Sequence, residues 1–251
     1  MNRDARIPVT VLTGYLGAGK TTLLNRILSG ADGHRWAVIV NEFGEIGIDH
    51  ELVTHSNEEL FEMNNGCICC TVRGDLIRTV HTLLQRPGRF DGIVVETTGL
   101  ADPGPVAQTF FMDEEIAEQY LLDSILTLVD AKHAQSQLDD RQEARRQIGF
   151  ADQIFISKSD LVSKGEVQAL MSRLMQMNPR APQKAVHFGE VAIADVFDLR
   201  GFNLNAKLED AQFVRDFDAL IGEVPEGYTI ADAAQVAREV IAAASCDHDC
   251  R

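Results

Sequence analysis

The chain has 251 residues and a formal net charge of −15, with 45% hydrophobic and 24% charged residues. This composition is ordinary for a globular protein of one or two domains. The acidic balance argues against nucleic acid as the main partner, because phosphate chains bind basic surfaces. No apolar run reaches the roughly 20 residues of a membrane span, and the N-terminus lacks a signal-peptide pattern. We therefore expect a cytoplasmic protein without a membrane partner.

Short apolar runs alternate with segments of helical periodicity along the first 200 residues. The runs predict strands over residues 7–14, 36–41, 59–63, 91–99, 121–130 and 151–160, and the periodicity predicts helices over 20–30, 71–86 and 167–177. Apolar strands joined by helices form parallel sheets that are covered on both faces. The pattern predicts an α/β fold with a mostly parallel sheet over residues 1–205. Residues 206–251 are interpreted as a C-terminal extension, either the start of a truncated second domain or a metal-binding linker.

A glycine-rich loop follows the first predicted strand and matches the pattern G-x-x-x-x-G-K-[ST] of P-loop NTPases. Backbone N–H groups of such a loop, together with the start of the next helix, bind phosphate. We expect Lys20 to contact the β- and γ-phosphates, Thr21 to bind Mg²⁺, and Thr22 to reach the α-phosphate. The predicted loop residues are Gly14, Gly17, Ala18, Gly19, Lys20, Thr21 and Thr22. The alternative is a glycine-rich turn that arises by chance.

Two residues near the end of the predicted strand 91–99 are candidates for the hydrolytic half of the site. The carboxylate of Glu96 could hold a Mg²⁺-bound water or polarise the attacking water, and the N–H of Gly99 could bind the γ-phosphate. With Lys20, they form the predicted catalytic set. A structural glutamate at a strand end is the alternative for Glu96.

Residues 157–160 read Ser-Lys-Ser-Asp and are similar to the N-K-x-D motif by which GTPases recognise guanine. In that motif the aspartate accepts hydrogen bonds from guanine, which predicts Asp160 as the specificity residue and Lys158 over the base. Ser157 stands where the motif has Asn, so we expect a weaker brace between base and loop. His187, after a later apolar run, is a further candidate at the edge of the base. GTP is therefore the predicted nucleotide, with Mg²⁺.

Cys67, Cys69 and Cys70 form a dense cluster directly before the predicted helix 71–86. A helix N-terminus lowers the pKa of thiols, and three thiolates suit a tetrahedral ion such as Zn²⁺ or Co²⁺ with one open position. Buried or redox-active cysteines are the alternative. Cys246, His248 and Cys250 form a second candidate metal tract near residue 251, with a disordered tail that carries Cys and His by chance as the alternative.

An acidic, glycine-interrupted segment lies between the first helix and the cysteine cluster. Such a segment senses the γ-phosphate in nucleotide switches. Glu42, Glu45 and Asp49 are its candidate ligands for Mg²⁺ or for the thiolate-bound metal. A solvated acidic loop is the alternative for each of them.

These motifs together resemble the CobW-type family of P-loop GTPases, in its YjiA-like branch. The resemblance rests on TGYLGAGKTTLLNRIL, NEFGEIGID, NNGCICC, VVETTGLADPGPVAQTF and SKSD, in this order. It implies a GTPase that binds Zn²⁺ or Co²⁺, delivers it to a client protein, and could form a homodimer. The family usually carries a smaller C-terminal domain beyond a His-rich linker, and this chain ends at residue 251, where such a linker could begin.

We hypothesise that the γ-phosphate orders residues 42–49 and thereby assembles the three cysteines for metal binding. Hydrolysis would then release the metal. Three other functions are considered: a metal-binding or storage module with a vestigial nucleotide site, a small-molecule phosphotransferase, and a thiol redox protein. The first predicts no hydrolysis, the second a phosphorylated acceptor, and the third thiol exchange that does not depend on nucleotide.

Overall fold

The computed structural model describes residues 6–29, 35–40, 59–62, 71–85, 90–192, 195–197 and 199. The chain divides into two units, residues 1–202 and 203–251, and every described residue belongs to the first. The predicted extension over 206–251 lies outside the described residues, so the division into domains stays a prediction. Among the described residues, no helix is both long enough and apolar enough to cross a membrane.

The described strands form one sheet of seven, in the order β3-β2-β4-β1-β5-β6-β7. Their bounds are β1 Ile7–Gly14, β2 Trp36–Val40, β3 Glu59–Glu62, β4 Gly92–Glu96, β5 Tyr120–Asp130, β6 Gln153–Ser157 and β7 Gln183–Ala185. Every neighbouring pair is parallel. The predicted α/β fold with a parallel sheet is confirmed, and the predicted strands lie where the apolar runs placed them.

Helices connect these strands. Their bounds are α1 Lys20–Ser29, α2 Thr71–Leu84, α3 Pro103–Met112, α4 Glu114–Gln119, α5 Ala134–Asp140, α6 Gln142–Phe150 and α7 Lys164–Met177, with a 3₁₀ turn at Ser159–Leu161. Local capping explains several of the starts. Asp102 and Asp113 accept backbone N–H groups at the beginning of α3 and α4, and Ser163 forms a capping box with Glu166 at α7. The helices predicted from periodicity are therefore confirmed.

Two apolar clusters of buried residues hold the helices on the sheet. One joins α1 to β1, β2, β4 and β5, and the other joins α5, α6 and α7 to β5 and β6. The single tryptophan, Trp36, is buried in the first cluster and stacks on Phe197 with ring centroids 4.0 Å apart. A fluorescent side chain therefore reports directly on the packing of this cluster.

We expect substitution by alanine to have opposite effects on the free energy of unfolding at Gly92 and at Gly149. A Cβ atom at Gly92 would lie 2.1 Å from the Trp36 ring. A Cβ atom at Gly149 in α6 would have no described atom within 4 Å apart from its chain neighbours and the backbone of its own helix. We expect Gly92→Ala to lower the free energy of unfolding by about 1–3 kcal/mol through overpacking. Gly149→Ala should raise it by about 0.5–1 kcal/mol, because alanine favours the helix.

Urea unfolding followed by Trp36 fluorescence checks both substitutions, with Gly149→Ala as the matched control for an added methyl group. Equal stability of Gly92→Ala and the wild-type protein would contradict the packing described at Trp36.

Candidate nucleotide-binding site

The glycine-rich loop between β1 and α1 adopts backbone angles that favour glycine. Gly14, Gly17 and Gly19 have φ angles of 144°, 75° and 97°, in the region that side chains rarely adopt. Position 14 also has no room for a side chain, since a Cβ atom at Gly14 would lie 2.4 Å from the carbonyl oxygen of Leu128 in β5. The sequence pattern thus has a physical reason at these positions, and the loop leads directly into the N-terminus of α1. A helix start of this kind attracts anions.

Lys20 and Thr21 are the first two residues of α1 and follow this loop directly. Lys20 Nζ donates to the Gly14 carbonyl at 3.0 Å, and Thr21 Oγ1 donates to Glu96 Oε1 at 3.0 Å. Glu96 is the last residue of β4 and its side chain is buried. A hydroxyl beside a carboxylate supplies the hard oxygen donors that Mg²⁺ prefers, so these residues fit that ion. The predicted pairing of Thr21 and Glu96 in one site agrees with this geometry.

The turn after β4 packs against the glycine-rich loop. Gly99 is buried, and a Cβ atom there would lie 2.6 Å from the backbone nitrogen of Leu16. Thr97 connects the same segment to β1, because its Oγ1 donates to Thr13 Oγ1 at 2.9 Å. The structure therefore brings Gly99 next to the loop, as the sequence predicted for a residue that binds the γ-phosphate.

Residues 157 and 158 hold the glycine-rich loop from the other side. Ser157 Oγ donates to the Ala18 carbonyl at 2.7 Å, and Lys158 Nζ donates to the Gly17 carbonyl at 2.7 Å. Lys158 has a left-handed backbone conformation with φ 54°. Ser157 therefore contacts the loop directly, and the weaker brace between base and loop expected from the missing Asn stays a prediction. The short Ser157 side chain reaches the Ala18 carbonyl because Ser157, at the end of β6, lies close to the loop.

Asp130 anchors Lys158 and was missed by the sequence analysis. This carboxylate ends β5, is 3% exposed, and accepts from Lys158 Nζ at 2.7 Å and faces His133 Nδ1 at 3.2 Å. Burial favours the neutral acid, but the hydrogen bonds from Lys158, from His133 and from the Lys132 backbone outweigh it and lower the pKa of Asp130. The sequence feature that could have identified Asp130 is a carboxylate at the end of an apolar strand.

The predicted base-binding residues lie together at one end of the sheet. Asp160 and His187 are both exposed, with His187 Nδ1 3.7 Å from Asp160 Oδ1. The turn from His187 packs on α1, since a Cβ atom at Gly189 would lie 3.2 Å from the Thr22 carbonyl oxygen. His187 thus lies beside Asp160, and the turn that carries it lies against α1 at Thr22. Phe188 is exposed beside His187, and its ring centroid lies 4.5 Å from that of His187.

The candidate metal ligands other than Thr21 lie outside the described residues. They are Glu42, Glu45, Asp49, Cys67, Cys69 and Cys70. Within the ranges that the structure describes, no group of three or more His, Cys, Asp or Glu residues is arranged to hold a metal ion. The thiolate site therefore stays a prediction.

The register of the sheet nevertheless fixes where both predicted segments begin. Val40, the end of β2, pairs with Glu96 on one side and with Glu62, the end of β3, on the other. Neighbouring strands lie about 4.8 Å apart, so the backbone of Glu62 is about 10 Å from that of Glu96. The described ends of β2 and β3, Val40 and Glu62, therefore lie at the same edge of the sheet as Glu96.

Residues 8–184 match the family model described as CobW/HypB/UreG, nucleotide-binding domain. The chain belongs to the CobW/HypB/UreG family. Membership agrees with the predicted resemblance and with the P-loop fold.

Individual relatives are similar over most of this chain. The chain is 43% identical over 202 residues to the zinc chaperone YjiA of Escherichia coli, covering 79% of this chain and 63% of YjiA. It is 38% identical to zinc-regulated GTPase metalloprotein activator 1 of Schizosaccharomyces pombe, covering 78% of this chain and 50% of that protein. The chain thus spans about half to two thirds of the length of these relatives.

Among solved structures, the Zn(II)-bound YjiA GTPase from E. coli matches with a TM-score of 0.63 and 38% sequence identity. The match covers 81% of this chain and 64% of that chain. The parallel sheet and its connections are therefore those of an experimentally observed CobW-type fold.

The environment of Asp130 predicts a pH-dependent effect of Asp130→Asn. At pH 7 we expect the substitution to lower the free energy of unfolding by about 1–3 kcal/mol, because charge-assisted hydrogen bonds are lost. The pKa of Asp130 is lower in the folded state than the ordinary value of about 3.9. Its stabilisation is therefore complete above that value and is lost as the pH falls through the folded-state pKa.

Urea unfolding of both proteins from pH 7 down to pH 3 measures this difference, which should shrink below about pH 4. Asp140→Asn, the same change at an exposed position of α5, is the control. A difference that stays constant with pH would contradict an ionic role of Asp130.

Proposed function

We propose that this chain is a GTPase that hydrolyses GTP to GDP and phosphate and couples this reaction to the delivery of a transition metal, Zn²⁺ or Co²⁺, to a client protein. The observation that carries the hydrolytic part is the contact between Thr21 and Glu96. This contact joins a hydroxyl suited to Mg²⁺ with a buried carboxylate at the end of the adjacent strand, directly beside the phosphate-binding loop.

Each residue of the site has a defined task in this proposal. The N–H groups of Gly17 and Gly19 and the Lys20 ammonium group bind the phosphates. Thr21 with Glu96 forms the place for Mg²⁺, which neutralises phosphate charge when bound. Glu96 also orients a water molecule towards the γ-phosphate. Gly99 offers its N–H to that phosphate, since it lies against the loop at Leu16.

Guanine selectivity is assigned to Asp160. A carboxylate accepts hydrogen bonds from N1 and N2 of guanine, and adenine offers no such pair of donors. Lys158 and Ser157 support this task by holding the loop through the Gly17 and Ala18 carbonyls. His187 and Phe188, at the edge of the same space, would border the base.

Metal delivery is assigned to Cys67, Cys69 and Cys70, with Glu42, Glu45 and Asp49 as candidate further ligands. Val40 and Glu62, which precede these two predicted segments in the sequence, end strands at the same edge of the sheet as Glu96. This supports coupling between γ-phosphate and metal. The relatives named zinc chaperone and zinc-regulated GTPase metalloprotein activator support zinc as the cargo. A cytoplasmic location, a client protein and a homodimer belong to the same proposal.

The intact phosphate site argues against a metal-storage module with a vestigial nucleotide site. Such a module has no need of the Thr21–Glu96 contact or of the three hydrogen bonds that hold the loop carbonyls. A small-molecule phosphotransferase would produce a phosphorylated acceptor, whereas the proposed reaction releases free phosphate.

Phosphate release with GTP or ATP as substrate tests the hydrolytic part of the proposal. We expect the wild-type protein with Mg²⁺ to turn over GTP in preference to ATP. Glu96→Gln should lower kcat for GTP by about 10²-fold or more, since the carboxylate that orients water is lost. Glu118→Gln, the same change at an exposed position of α4, should leave kcat unchanged. Wild-type kcat in Glu96→Gln would refute the assigned role of Glu96.

Competition for zinc against a chelating dye tests the coupling. With a non-hydrolysable GTP analogue bound, zinc affinity should exceed that of the GDP-bound protein by about tenfold, which corresponds to about 1.4 kcal/mol of coupling. Cys69→Ser should abolish tight binding, whereas Cys246→Ser should keep the nucleotide dependence. Equal zinc affinity in both nucleotide states would exclude the coupling and leave hydrolysis unaffected.

A further inference from the structure

Gln147 is a buried polar residue of α6 that reaches the turn carrying Gly99. Gln147 is only 1% exposed. Its Nε2 donates to the Gly99 carbonyl at 3.2 Å and to the Ala101 carbonyl at 3.0 Å. One amide group thus uses its two hydrogens on two carbonyls of a single turn. A buried amide is costly unless it is hydrogen-bonded, so this arrangement resists displacement of the turn.

The backbone that presents Gln147 is itself fixed to the sheet. The Thr127 hydroxyl of β5 donates to the Gln147 carbonyl at 2.9 Å. The preceding residue, Arg146, forms an ion pair with Asp102 at 2.6 Å, and Asp102 caps α3 through the Gly104 N–H. The turn between β4 and α3 is therefore tied to α6 by two adjacent side chains.

These contacts set the orientation of the turn. A peptide unit is planar and trans, so a Gly99 carbonyl held towards α6 directs the N–H of Leu100 away from α6. The same turn is closed by a hydrogen bond from the Ala101 N–H to the Thr98 carbonyl at 3.0 Å. On its other side Gly99 packs against the Leu16 backbone with no room for a side chain. Gln147 thus holds the turn against the phosphate-binding loop.

We propose that Gln147 is a positioning residue for GTP hydrolysis, which holds the turn 98–101 in the arrangement that receives the γ-phosphate. The inference rests on the proposed function. GDP lacks the γ-phosphate and makes no use of this turn, so loss of the Gln147 hydrogen bonds affects the triphosphate state and its reaction. The predicted signature is a change in kcat and in the preference for triphosphate over diphosphate.

Gln147→Met is the variant of choice, because methionine keeps an unbranched side chain of similar length without hydrogen-bond donors. Displacement of catalytic geometry by about 1 Å costs up to about 100-fold in rate, so we expect kcat for GTP to fall by about 10- to 100-fold. The affinity for a non-hydrolysable GTP analogue should fall at least about fivefold, with GDP affinity within about twofold of wild type. Gln142→Met, at an exposed position of the same helix, is the control and should behave as wild type.

The outcomes separate a positioning role from a structural one. Unchanged kcat and unchanged preference for the analogue over GDP would overturn the inference, and so would an equal loss of affinity for both nucleotides. If Gln147→Met lacks a cooperative thermal transition, Gln147→Asn is measured with the same readouts, since it keeps a neutral amide and shortens its reach to the two carbonyls by one methylene group. Absence of wild-type hydrolysis would refute the proposed function, and the ratio of analogue to GDP affinity would still decide the role of Gln147.

Discussion

The parallel pairing of the strands is the constraint on which the candidate site depends. β1, β4, β5 and β6 run in one direction, so Gly14, Glu96, Asp130 and Ser157 all stand at their carboxyl ends on one edge of the sheet. Ligands of open α/β sheets bind at this edge. Residues far apart in sequence can therefore contact the glycine-rich loop directly, because their strands end beside it.

The glycine-rich loop is held through its carbonyl groups. Lys20, Lys158 and Ser157 donate to the carbonyls of Gly14, Gly17 and Ala18, respectively. In planar peptides each N–H points opposite to the preceding carbonyl. The Ala18 N–H, opposite the Gly17 carbonyl, donates to the Tyr15 carbonyl at 3.1 Å and tightens the turn. The Gly19 N–H, opposite the Ala18 carbonyl, points away from Ser157, which is the orientation that an anion site needs. The loop is thus arranged for phosphate by contacts from α1 and from the end of β6, and its positive φ angles allow that arrangement.

The buried side chains around the loop connect the two ends of the proposed nucleotide site. Asp130 holds Lys158 near the base-binding residues, and α6 carries Gln147 and Arg146 to the turn at Gly99. Asp130 ends β5, and α6 lies between β5 and β6. A change in the turn after β4 must therefore break hydrogen bonds to α6 or move with it, which gives the γ-phosphate end a physical link to the rest of the fold.

The fold class, the strands, the phosphate loop and the candidates Glu96, Gly99 and Asp160 could be predicted from the amino-acid sequence, because apolar periodicity, glycine spacing and short motifs are local properties. Three contacts became visible only in the folded chain: Ser157 braces Ala18, Asp130 anchors Lys158, and Gln147 binds the turn at Gly99. These contacts join residues from about 30 to 140 positions apart. They depend on strand order and register, which the alternation of strands and helices leaves open.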